Sequence, residues 1–223
     1  MTDPKVSKAL SGALQAFTTY DGFDAVALNA KFEALFSSDD DFMKKVDALD
    51  ELFNDNPKLE ELHEVFFDLL MVNFFSEDVK KLEDDYLDTP EWEEIEEQTL
   101  DRGTELLNLL LYLNECEDEG IDPELDDYLK EFLLVDEDEF QDEYRIYEPV
   151  IANQILIESP AAEIAKVADT LDEDSELKEL FYPMICFFQN PELDAAEEKN
   201  IADNAVAPAF DMAVLAILIS FNS

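Results

Sequence analysis

The chain has 223 residues, with 58 Asp plus Glu against 14 Lys plus Arg, one His, four Gly and a formal net charge of -44. A small domain ordinarily carries a net charge of magnitude about 2–8. So few cations cannot neutralise several phosphates, which excludes direct DNA or RNA binding through a basic patch; the composition also excludes collagen-like, Gly/Ser-linker and disulfide-scaffold chains.

Seventeen Phe, seven Tyr and one Trp give the chain a large apolar load, so the low hydrophobicity that accompanies charge-driven disorder is missing. It reads as one folded domain over residues 1–223. Val6, Leu10, Ala13, Leu14 and Phe17 form a helical stripe near the start. Met1–Tyr20 is polar on its other side and lacks the charged, apolar pattern of a secretory leader, so a cytosolic chain is expected. Leu28, Phe32, Leu35 and Phe36 repeat the spacing, as do Phe42, Val46, Leu49, Leu52 and Phe53, with Lys44, Lys45, Asp47 and Glu51 between them. Leu125, Tyr128, Leu129, Phe132 and Leu133 continue it, followed by Ile164, Val167, Ala168 and Leu171. Leu177, Leu180, Phe181, Met184, Ile185 and Phe188 make another stripe, with a kink expected at Pro183.

Tyr144–Ile157 is the one stretch compatible with a strand, and it fits a helix almost as well. Met212–Phe221 is apolar but falls short of the ~20 residues of a membrane span, so it reads as a buried helix or an assembly surface. The fold class is all-α, an irregular multi-helix bundle of about nine to twelve helices.

Six prolines follow a capping residue: Asp3-Pro4, Asn56-Pro57, Thr89-Pro90, Asp122-Pro123, Ser159-Pro160 and Asn190-Pro191. A side-chain acceptor followed by proline reads as a helix start, because proline loses no hydrogen bond at the first helical position. Pro57, Pro90 and Pro123 are separated by 33 residues each, so a short helical-repeat array is the alternative architecture.

Motifs for chemistry are sparse. His63, beside Leu59, Phe66 and Phe67, reads as structural; Glu60-x-x-His63 alone lacks the remaining ligands of a di-iron bundle. Asp136–Gln141 and Asn114–Gly120 only approximate a calcium loop. No Gly-rich phosphate loop, zinc spacing or nucleophile elbow occurs. Cys116 reads as a surface thiol and Cys186 as a core residue. No cofactor or metal is expected, and no catalysis.

The remaining signal is the charge. Glu115–Glu148 holds 16 acids against Lys130 and Arg145, and Ser76–Asp101 holds 12 against Lys80 and Lys81. These runs define an acidic central region, 76–148. Packing like charges on one body costs stability, and docking against a cationic surface would offset that cost. The expected partner is therefore a basic protein, with neither a nucleic acid nor a membrane contacted directly. The candidate partner-binding residues are Asp84, Asp85, Glu93, Glu94, Glu96, Glu97, Asp126, Asp127, Asp136, Asp138, Glu139, Asp142 and Glu143. Mimicry of a nucleic acid is the leading specific form. The alternatives are an immunity- or chaperone-like binder, with Tyr86, Trp92, Tyr128 and Tyr144 as aromatic anchors, and a helical scaffold whose acids only solubilise.

Overall fold

A computed structural model describes residues 2–76, 88–132, 134–136, 139–140 and 146–222. Among them, the first four α-helices are α1 (Pro4–Asp21), α2 (Asn29–Phe36), α3 (Phe42–Asn54) and α4 (His63–Ser76). Next come α5 (Pro90–Thr99), α6 (Leu106–Glu119) and the short α7 (Leu125–Asp127), which widens into a π-turn at Tyr128–Phe132. The last five are α8 (Glu148–Ala152), α9 (Ala161–Thr170), α10 (Lys178–Gln189), α11 (Ala195–Asn204) and α12 (Pro208–Phe221). The all-α class holds. Its one exception among the described residues is an irregular antiparallel hairpin of β1 (Leu134–Asp136) and β2 (Glu139–Phe140), pairing Leu134 with Phe140 and Asp136 with Glu139.

Side-chain acceptors set several helix starts. The Asp3 carboxylate accepts from the amides of Lys5 and Val6 ahead of Pro4, and Thr89 accepts from the Trp92 amide ahead of Pro90. Elsewhere the cap-proline signal misleads. Asn56-Pro57 opens a 3-10 turn (Pro57–Leu62) with no side-chain cap. Asp122-Pro123 opens nothing, since α7 begins at Leu125 behind Glu124. At Ser159-Pro160 the proline itself holds the cap position of α9. Asn190 bonds locally, its Oδ1 accepting from the Glu192 amide, and α11 starts later behind an Asp194/Glu197 capping box.

The equal proline spacing therefore marks no repeat. In a repeat stack each unit touches its neighbours, whereas here the most extensive helix pairing joins α1 to α12, the two ends of the chain. The predicted stripes point inward: Val6, Leu10, Ala13, Leu14 and Phe17 are all buried, as are Phe42, Val46, Leu49 and Phe53. Pro183 lies inside α10 and is buried. The strand-compatible stretch is helical where described, as α8 and a 3-10 turn (Gln154–Glu158).

Met212–Phe221 belongs to the interior. α12 packs against α1, α10, α11 and α6, and it buries nearly all of its length. No helix among the described residues is long and apolar enough to cross a membrane. Cys116 is buried, contrary to expectation, because it sits on the inner face of α6; Cys186 is buried as expected, and neither forms a disulfide.

Close approach of α1 to α12 depends on Gly12. A Cβ placed there would meet Ser220 Oγ at 3.0 Å and the Ala216 carbonyl at 3.5 Å. Gly12→Leu should overpack this seam and cost about 1–3 kcal/mol, read as a lower thermal midpoint and an earlier denaturant midpoint. An unchanged midpoint would show that the seam is loose.

Candidate partner-binding surface

The acidic face of α5 follows from its sequence. Ile95 and Thr99 are buried and Trp92 is half-buried, its ring 5.4 Å from that of Phe75. Glu91, Glu93, Glu94, Glu96 and Glu97 are consequently all turned outward and exposed. None of the five forms an ion pair among the described residues; the Glu94 carboxylate accepts only from Gln98 Nε2, at 3.4 Å.

The other predicted acids divide. Asp126 is exposed and paired with Lys130, and Asp127 beside it is half-buried. Asp136 and Glu139 stand opposite each other in the hairpin register. Asp84, Asp85, Asp138, Asp142 and Glu143 lie outside the described residues, as do Tyr86 and Tyr144. Tyr128 is corrected as a surface anchor: it is buried, its hydroxyl 2.8 Å from that of Tyr147, which donates to Glu105 at 2.5 Å. Exposed acids also extend beyond the central region, at Asp39–Asp41, Asp172–Asp174 and Glu197–Glu198.

One grouping escaped the sequence. Glu91, Glu94, Ile95 and Gln98 share one stripe of α5, at the i, i+3, i+4, i+7 spacing. They wall a cleft of about 470 Å³ whose other sides come from Asp40–Met43 and Lys45 at the start of α3 and from Leu70, Asn73 and Phe74 of α4. The signal available was the Asp39-Asp40-Asp41 run, with Asp41 capping α3 through the Lys44 amide. Lys44 also pairs with the Asp41 carboxylate and holds it below the usual Asp range.

The polar cluster around the single histidine is a clasp. His63 Nε2 lies 2.8 Å from Asp50 Oδ1, and its ring stacks on Phe53 at 4.6 Å. Arg102 donates through Nε to both Glu64 oxygens at 3.1 Å and through Nη2 to Asp50 at 3.0 Å. Its guanidinium lies 4.8 Å from the Phe67 ring centroid. The Gly103 amide donates to Glu64 at 2.7 Å, and the Thr104 amide and hydroxyl donate to Asp68 at 3.0 and 2.5 Å. Gly103 has φ +82°, and a Cβ there would sit 2.6 Å from Asp68 Oδ1. These contacts lock the loop before α6 onto α3 and α4. Among the described residues no group of three or more His, Cys, Asp or Glu is placed to hold a metal ion.

Comparison with protein-family models, with curated proteins and with solved structures gave no match.

Burial pushes the Asp68 carboxyl up to about 8, against the lowering effect of its bonds from Thr104, with Glu64 and Glu105 adding repulsion. The folded state thus keeps a proton that the unfolded chain releases near its ordinary value of 3.8. Stability from this group is full below that value and is lost as pH rises toward about 8. Asp68→Asn should flatten the stability-versus-pH curve across this window, gaining on the parent toward its alkaline end. Parallel curves in denaturant titrations would contradict this.

Proposed function

We propose that the protein acts without catalysis, by presenting acidic helix faces to a basic protein surface, in the manner of a nucleic-acid mimic. One observation carries the reading. On α5 five exposed glutamates lie within Glu91–Glu97 with no basic residue among them. At about 1.5 Å rise per residue they occupy about 9 Å of helix axis, or about one charge per 1.8 Å. Duplex DNA carries about one per 1.7 Å.

A basic groove shaped for a phosphate backbone would meet a comparable charge density on a rigid element. Such association is steered over long range and weakens with salt. The fan of Asp126 and Asp127, and of Glu115, Glu117, Asp118 and Glu119 on α6, extends the same character. Lys5 pairs with Glu117 and Lys130 with Asp126, so only part of that charge is compensated.

The test replaces Glu91, Glu93, Glu94, Glu96 and Glu97 together with Gln and compares capture from a host extract. Individual exposed pairs are worth about 0–1 kcal/mol, so the joint change is needed. The parent protein should retain nucleic-acid-binding proteins that elute with salt and that added duplex DNA displaces. The five-Gln variant should lose them. Equal capture by both forms would reduce the acids to a solvated surface.

A further inference from the structure

We propose that the cleft between α3, α4 and α5 receives a basic segment of the partner that inserts an apolar side chain between its cations. This rests on the reading above and gives it a specific site.

The exposed acids Asp40, Asp41, Glu91 and Glu94 line the cleft together with the half-buried Met43 and the buried Ile95. Asp40, Glu91 and Glu94 form no ion pair among the described residues, while Lys44 pairs with Asp41 and is also attracted by Asp40. The cleft's own cation, Lys45, is only 7% exposed, and its ammonium donates to the Phe36 carbonyl at 3.2 Å. A cleft lined by exposed carboxylates and by buried apolar side chains disfavours anionic and purely apolar ligands alike. It fits a chain in which Lys or Arg flank a large apolar residue, the apolar lining removing that side chain from water while the carboxylates meet the charges. A volume of about 470 Å³ lies within the usual range for binding clefts.

The geometry also divides the acids of α5. Glu91 and Glu94 border the cleft, whereas Glu93, Glu96 and Glu97 do not. A plain charge surface would use both sets alike, but a cleft would not.

The experiment uses the full chain and a fluorescein-labelled peptide of Lys and Arg flanking a central Trp-Leu pair. A second peptide of equal charge has Ser in place of Trp and Leu. Binding is read by fluorescence anisotropy at physiological salt, with circular dichroism confirming that each variant is folded. The apolar-centred peptide should bind at least about tenfold more tightly than the Ser peptide. The triple variant Asp40→Asn, Glu91→Gln, Glu94→Gln should weaken it by about tenfold, and Glu93→Gln, Glu96→Gln, Glu97→Gln by no more than about threefold. Equal binding of the two peptides, or equal losses in the two variants, would overturn the cleft while leaving the acidic surface as the binding element. Spermine displacing the peptide at equal charge concentration would also overturn it. Failure of both peptides to bind would remove the acidic-surface reading along with the cleft.

Discussion

A chain with a net charge of -44 must be held closed by its interior, because its exterior pushes outward. Helices that bury most of their side chains, α4 and α12 among them, supply that interior. α4 packs against α1, α3 and α6, and α12 against α1, α6, α10 and α11. Phe32, Phe53 and Phe66 meet at centroid distances of 4.9–5.6 Å, which adds oriented ring contacts to plain area burial. The acids can then be pushed to the rim of each helix without loosening the centre.

Cations are too scarce to neutralise this exterior, and the structure uses several of them as cross-links. Lys5 ties α1 to α6 through Glu117, and Arg102 ties its loop to α3 and α4 through Asp50 and Glu64. Lys45 is turned inward to a backbone carbonyl. What remains is uneven: α5 has no compensating partner among the described residues, and its acids therefore dominate the local field. Polar groups inside are few and mostly bonded, as with Asp68 to Thr104, Tyr182 to the Ile201 carbonyl and Asn73 to the Asp3 amide. That is the condition under which buried polar atoms are tolerated.

The sequence made the amphipathic helices legible because one face of each is wet. α1 and α3 could be read residue by residue from their stripes, whereas α10 is buried at every position from Leu180 to Phe188. α4 and α12 carry little such periodicity, since their surroundings are protein on nearly every side, so burial rather than spacing identifies them. Asn190 and Asp122 looked like caps because the same side-chain chemistry serves turns and helix starts alike. The outward acids of α5 were readable from Ile95 and Thr99. The cleft was not, because it joins Asp40 and Asp41 to Glu91 and Glu94 across a long stretch of chain. Cys116 was misplaced for a related reason: its acidic neighbours in sequence point away from it in space.

Salt dependence of stability tests the balance between core and charge most directly. Thermal unfolding of the full chain would be followed as sodium chloride is raised from about 0.01 M to about 1 M, shrinking the Debye length from about 30 Å to about 3 Å. If repulsion among surface carboxylates is the main force opposing the core, the midpoint should climb steeply at first and then level as screening completes. A midpoint that stayed flat or fell over the low-salt range would contradict that balance and leave the acidic exterior without an energetic cost to explain.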